Sequence, residues 1–295
     1  MIRFELNWQQ ASALAAGLAA TSIGLRVARR PALVRLSAAA QESGLVVGLF
    51  ALWQYAGSFS LVGPGGAVSR SRWIWQFERD IRLPSEAWLQ QVFLPHPLLI
   101  QFFNLYYDTL HFPVLIACMA RLFIRHRPAY GRWRTTVVVF TGLCLLIQLV
   151  PVAPPRMLVS TGMVDTAVAY HQSVYSNVAG FDADQLSAMP SVHVGWAILV
   201  ALAVIGTAGS RWRWLAVLYP VMTSLSVVVT ANHFWLDGII AAAILAVVLA
   251  TQVSVRRTLA RRAMAPAVVG LDLAAAAALP QTEQDEPAIL LVRNG

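Results

Sequence analysis

Long apolar runs alternate with short polar links along this chain, and the runs are too long for the strands or one-sided helices of a soluble domain. Six stand out: Ser43 to Leu61, Leu98 to Ile124, Thr135 to Val150, Pro190 to Thr207, Trp212 to Thr230 and Phe234 to Thr251. A helix rises 1.5 Å per residue, so a hydrocarbon core of about 30 Å takes about 20 residues, and each run falls near that length. The third is the shortest. A weaker Ala-rich stretch, Ala11 to Val27, fits an extra span or an interfacial helix, and without a basic segment ahead of it does not read as a cleaved signal peptide. The pattern predicts an all-α protein: a polytopic membrane helix bundle of six core transmembrane helices, with room for an extra N-terminal helix. It divides the chain into an N-terminal cytoplasmic or interfacial segment (1–42), a six-span membrane domain (43–255) and a cytoplasmic, largely disordered tail rich in Ala, Pro and acids (256–295).

Composition agrees: 58% of residues are hydrophobic and 12% charged, where a soluble domain carries about a quarter charged. The net charge of +8 does not signal nucleic acid, because the basic residues, all arginine, cluster in short links between apolar runs. Arg26, Arg29, Arg30 and Arg35 precede the first run. Arg121, Arg125, Arg127, Arg132 and Arg134 join the second and third, Arg211 and Arg213 the fourth and fifth, and Arg256, Arg257, Arg261 and Arg262 follow the sixth. If the spans alternate, all of these fall on one side, which the positive-inside rule makes cytoplasmic. The opposite loops are poorer: the link after the third run carries Arg156 with Asp165, Asp182 and Asp184. An outer segment mixes Arg70, Arg72, Arg79 and Arg82 with Glu78, Asp80, Glu86 and several tryptophans, which suggests an amphipathic helix in the headgroup region. Cys118 and Cys144 lie inside apolar runs, without CxxC spacing, and read as small buried hydrophobes.

On that topology five ionisable or polar residues reach the same outer surface. Arg156 follows the third span, Ser191 and His193 open the fourth, and His233 and Asp237 bracket the start of the sixth at helical i, i+4 spacing. Charged groups at a membrane edge are costly to keep, so their default reading is functional. A histidine oriented by a carboxylate is an activated nucleophile or base, a second histidine can protonate a leaving oxygen, and arginine clasps phosphate through paired hydrogen bonds. Pro190 suits a first helical turn, whose amides are a ready anion seat. The set describes phosphoryl transfer through a phosphohistidine, with neither metal nor cofactor. A zinc site from His193, His233 and Asp237 is the competing reading, and Arg156 argues against it by repelling a dication. A further alternative is a non-enzymatic scaffold or transporter whose polar groups only pack helices. A second polar cluster, Tyr107, Asp108 and His111 in the second span, with Tyr106 beside it, is a candidate substrate pocket, Asp108 and His111 sharing a helix face. Asp165 and His171 are candidate headgroup contacts.

Ala188-Met189-Pro190-Ser191-Val192-His193, followed some forty residues later by His233-Phe234-Trp235-Leu236-Asp237, resembles the type 2 phosphatidic acid phosphatase superfamily. With Pro151-Val152-Ala153-Pro154-Pro155-Arg156, it is most similar to the inositolphosphorylceramide synthase-like branch and its bacterial relatives. The resemblance covers about Leu98 to Val253. It implies that His233 attacks phosphorus, Asp237 orients it, His193 serves as acid and then base, and Ser191 and Arg156 hold phosphoryl oxygens. Three departures stand out: only Arg156, in the order Pro-Pro-Arg, fills a first motif of Lys and Arg-Pro; Val192 replaces the second motif's glycine; and Ser226-Val227 stand where the third motif has Ser-Arg. The implied partners are a lipid phosphate substrate, water or an alcohol as acceptor, and the bilayer. The implied place is the cytoplasmic membrane, with the site facing outward. Water as acceptor makes a lipid phosphatase; an alcohol makes a headgroup transferase of the inositol-phosphate type.

Overall fold

The computed structural model describes residues 7–28, 33–57, 64–172 and 185–277. Arg29, Arg30, Asp182, Asp184 and residues 58–61 of the first apolar run lie outside them, as does the tail from 278. The described residues are helical, and no strand is found among them beyond one isolated bridge between Val152 and Ser187.

α1 (Trp8–Val27) opens with a capping box between Asn7 and Gln10 and lies antiparallel to α2 (Val34–Gly57). Small residues bring the pair together: Leu18 Cβ stands 3.2 Å from where a Cβ on Gly44 would be, and the Ser22 and Ser37 hydroxyls bond across to each other's carbonyls. Two short helices follow, α3 (Ala67–Asp80) and α4 (Glu86–Phe93). The bundle continues with α5 (Pro97–Thr109), α6 (His111–Arg125), α7 (Arg127–Gln148), the one-turn α8 (Thr166–Ala169), α9 (Val192–Thr207), α10 (Leu218–Val229) and α11 (Trp235–Ala277). Tyr130 and Arg134 of α7 both bond Glu42 of α2, at 2.7 and 2.5 Å.

The expected count of six spans is not what helix length and composition carry. Among the described residues, two helical stretches are long and apolar enough to cross a membrane, Arg211–Val229 and Trp235–Arg261, or three if the bent pair α5–α6 is one span. This makes the chain a membrane protein with a polytopic helical bundle. The second predicted run is broken by 50° between Thr109 and His111. Pro113 explains the break, since it has no N–H to donate to the Thr109 carbonyl and its ring crowds that turn. α9 is apolar but, with 16 residues, reaches only about 24 Å. α7 is long enough, but its first turns carry Arg127, Arg132 and Arg134; α2 carries Arg35 and Glu42. α2 also starts at Val34, nine residues before the predicted run.

Contacts group the chain into a unit ending at Val248 and a second from Leu249, in which helix continues to Ala277. The stretch expected as a disordered tail thus begins as helix, in keeping with its alanine content.

The segment expected to be amphipathic forms α3, but its buried face is not purely apolar. Ala67, Ser71, Ile74 and Glu78, one stripe at helical spacing, are buried, while Trp73 on the other side is 61% exposed. That stripe clamps the link after α7. Arg70 Nε donates to the Pro151 carbonyl at 2.6 Å, and the Ser71 hydroxyl to that of Ala153. The link, with Ala188, Phe234 and Leu236, forms one core with Ile74.

Candidate active site

Three stretches meet, and the main chain joins them. Val152 N–H donates to the Leu186 carbonyl at 2.7 Å, and Ala188 N–H returns to Val152 at 3.2 Å. Arg156 N–H reaches the Ala231 carbonyl at 3.1 Å; Ser191 N–H reaches that of Asp237 at 3.0 Å. Gln148, at the end of α7, holds the approach to α9 by donating to the Ser187 and Pro190 carbonyls at 3.3 and 3.1 Å. α9 begins at Val192 with Ser191 as N-cap, its hydroxyl accepting from Val194 N–H at 3.4 Å. Pro190 therefore precedes the cap instead of occupying the first turn, and the fully buried Ser191 has its own amide bonded to Asp237.

α10 ends in a tight reversal in which Ala231 takes a left-handed conformation (φ 54°) and both Asn232 and His233 amides return to the Val227 carbonyl. The reversal delivers His233 two residues before α11 starts. The dyad with Asp237 thus spans the helix's N-terminal edge, with His233 in the turn, instead of both residues sharing a helix face at i, i+4. His233 Nδ1 lies 2.7 Å from the Ala188 carbonyl oxygen and 3.3 Å from Asp237 Oδ2. Both neighbours are acceptors, so Nδ1 carries the proton and Nε2 keeps its lone pair. Nε2 is buried with no hydrogen-bond partner among the described residues. Asp237 is fully buried, and its Oδ2 also accepts the Phe234 amide at 2.9 Å.

His233 borders a cavity of about 200 Å³ that Arg156, His193, Tyr107, Asp108 and His111 also line. The Arg156 guanidinium bonds Asn232 Oδ1 and lies 3.3 Å from Asp165 Oδ2. Asn232 is in turn braced by donating to Thr230 Oγ1 at 2.8 Å. Across the cavity the rings form a wall. The His193 centroid is 4.8 Å from both Tyr107 and His111 and 5.7 Å from His233. His111 Nδ1 is 3.4 Å from the Tyr219 hydroxyl. Because of the break before His111, Tyr107 and Asp108 sit at the end of one helix and His111 at the start of the next, in place of one shared face. A larger apolar groove of about 560 Å³ runs between α2, α6 and α7, and Phe112 and Trp196 line both spaces.

The structure thus gathers His193, His233, Asp237, Arg156 and Ser191 at one end of the bundle and adds Tyr107, Asp108 and His111. Asp165 reaches the site through Arg156, whereas His171 is exposed and lines no part of the cavity. Sequence reasoning missed the Ala188 carbonyl, Asn232 and Gln148. Asn232 had a signal, being the residue before His233; the other two depend on folding. Where the resembling family places Ser-Arg, Ser226 is fully buried and bonds the Phe103 carbonyl at 3.0 Å, and Val227 packs with Tyr107 and Val194. Among the described residues, no group of three or more His, Cys, Asp or Glu side chains is arranged to hold a metal ion.

The sequence profile of the PAP2 superfamily matches residues 72–251, which include every residue named in this cavity. Neither a search of curated proteins nor one of solved structures returned a match. The profile covers more than half of the chain, and the chain belongs to the PAP2 superfamily.

Proposed function

We propose that this protein is a metal-independent lipid phosphatase or phosphotransferase working through a phosphohistidine on His233. Members of the superfamily are phosphatases and phosphotransferases, so phosphoric ester chemistry in general follows from membership. The observation that carries the finer reading is the tethering of His233: with Nδ1 committed to Ala188 and Asp237, Nε2 is its one free nucleophilic atom, beside an arginine and a second histidine.

In the first step Nε2 bonds to phosphorus as the P–O bond to the leaving group breaks, and His193 gives that oxygen a proton. Asp237 offsets the charge that develops on the His233 ring. Arg156, oriented by Asn232, binds the phosphoryl oxygens, and Ser191 fixes the helix start beside them. In the second step neutral His193 takes a proton from water or an alcohol, whose oxygen bonds to phosphorus as the N–P bond breaks. The apolar groove sharing Phe112 and Trp196 with the cavity fits the hydrocarbon part of a lipid phosphate, the class plausible for the superfamily. In the membrane, α2, α7 and α9 complete six crossings, the arginine-rich links lie on the cytoplasmic side, and the site opens on the outer face of the inner membrane. The polar wall of Tyr107, Asp108 and His111 favours a second reading, in which an alcohol hydroxyl is the acceptor, as in the inositolphosphorylceramide synthase-like branch.

The test uses purified protein and lipid phosphates labelled on phosphorus, with and without inositol. An acid-labile, alkali-stable phosphoenzyme absent from His233→Ala supports the mechanism; full turnover by that variant sinks it. Free phosphate marks the hydrolase and a new headgroup lipid marks the transferase.

A further inference from the structure

Behind the candidate site, and outside the cavity, lie two carboxyl groups that the mechanism does not use. Glu78 of α3 and Glu86 of α4 are both fully buried, at 0% and 1% exposure. Glu78 Oε1 accepts the Leu236 amide at 2.7 Å, in the first turn of α11, one residue from Asp237. Glu86 Oε2 accepts from Arg79 Nη2 at 2.8 Å. The remaining oxygens, Glu78 Oε2 and Glu86 Oε1, are buried without a hydrogen-bond partner among the described residues, and the two carboxyl groups are neighbours: the same Arg79 Nη2 lies 2.8 Å from Glu86 Oε2 and 3.9 Å from Glu78 Oε2. Two bare acceptors at that range repel; one proton between them satisfies both.

Charge counting gives the same answer. The groups facing the pair are Arg79 on α3, and Asp237 with His233 at the start of α11. Arg79 lies 2.8 Å from Glu86 but 3.9 Å from Glu78 Oε2, so it balances Glu86. Asp237 is committed to His233. The single guanidinium of Arg79 thus faces two buried carboxyl groups, Glu86 at 2.8 Å and Glu78 at 3.9 Å, and a second buried negative charge beside it is costly. Burial first, and then Glu86, pushes the Glu78 carboxyl up to about 9.

We propose that Glu78 and Glu86 share one proton and act as a positioning pair, which locks α3 and α4 onto the first turn of α11 and so fixes Asp237 and His233. The protonated oxygen of Glu78 donates to Glu86 while its other oxygen caps Leu236. Trp235 Nε1, donating to the Pro84 carbonyl at 3.0 Å between the two short helices, ties the same turn a second time. The catalytic part of this inference rests on the phosphoryl-transfer reading; the shared proton does not.

The experiment uses the full chain in detergent with the variants Glu78→Gln and Glu78→Ala. Infrared spectra at neutral pH are expected to show a protonated carboxyl stretch that Glu78→Gln removes. Hydrogen exchange at the Leu236 amide should accelerate on the order of 10- to 100-fold in Glu78→Ala and stay near wild type in Glu78→Gln, where an oxygen acceptor survives. With phosphatidic acid as probe, kcat should fall on the order of 10- to 100-fold in Glu78→Ala with KM within about twofold, and the Gln variant should restore it near pH 7. A carboxyl band unchanged in Glu78→Gln, or an Ala variant matching wild type in both exchange and kcat, overturns the proposal. Wild-type protein inactive on every lipid phosphate would overturn the phosphoryl-transfer reading instead, and the band and the exchange rates would still decide the pair. If Glu78→Ala does not fold, the band in Glu78→Gln decides it alone.

Discussion

The turn carrying His233 and the wall carrying His193 and His111 place the same side chain in opposite settings. On the turn, the imidazole is held at Nδ1 by a carbonyl at 2.7 Å and a carboxylate at 3.3 Å, and the residues on either side are pinned by amide bonds to Val227 and Asp237. On the wall, rings meet rings at 4.8 Å, His193 Nδ1 and His111 Nε2 are buried without partners among the described residues, and the contact of His111 Nδ1 with Tyr219 is long at 3.4 Å. A nucleophile must arrive at phosphorus from one direction, so it gains from being fixed. A group that first gives a proton to a leaving oxygen and then takes one from an acceptor serves two positions, and gains from having its partners supplied by the substrate. The contrast matches the two roles proposed for these histidines.

The sharpest way to break this contrast is to remove each side in turn. His233→Ala should lower kcat by on the order of 10⁴-fold or more. Asp237→Asn should cost less, about 10²-fold, at the low end for a histidine's orienting acid, because the Ala188 carbonyl still selects the Nδ1–H tautomer. Equal losses in steady-state kinetics would show that the carboxylate, not the carbonyl, fixes the ring. The support under the wall can be tested through Gly195, one turn beyond Ser191. A Cβ there would stand 2.0 Å from Phe140 Cζ, and Phe140 is fully buried. Gly195→Ala should destabilise the protein by about 1–3 kcal/mol, read as a lowered unfolding midpoint, since a rigid core ring cannot step aside. His111→Asn should change kcat by less than about tenfold but alter the dependence on alcohol concentration if the wall receives the acceptor. An unchanged dependence would confine His111 to packing.

A separate effect concerns pH. The unfolded Glu78 loses its proton near 4.5, whereas the folded group keeps it to about 9. Between those values the folded state binds more protons, so stability falls as pH rises. The contribution is fully present below about 4.5 and lost as pH climbs through about 9. Glu78→Gln should flatten that slope in thermal unfolding measured across the window.

Much of the site could be read from the chain because its chemistry sits in short motifs beside apolar runs, and arginine counting put those motifs on one surface. The His233–Asp237 pairing was also legible, though for a reason the fold revised: the spacing works across a helix start. The break at Leu110 had a signal in Pro113, masked by a continuous hydrophobic run. Glu78 had none. A glutamate on an amphipathic helix beside arginines reads as solvated, and of its partners Glu86 comes from the next short helix and the Leu236 amide from a turn 158 residues away. The span count is carried only in part, for a related reason. Hydropathy windows register apolar runs, whereas the helices that form extend into the flanking arginines, as α7 does, or stop short, as α9 does.

Three links joining the motifs run through at least one main-chain atom: Arg156 to Ala231, Ser191 to Asp237, His233 to Ala188. Sequence drift and alanine scanning are both nearly blind to such links, because replacing a side chain leaves the peptide carbonyl in place. A scan of this protein would therefore score Ala188 and Ala231 as silent, although each supplies an oxygen that holds a motif where it is. Amide-to-ester exchange at Arg156 or Ser191, which deletes one N–H and no side chain, is the substitution that would make this hidden framework visible.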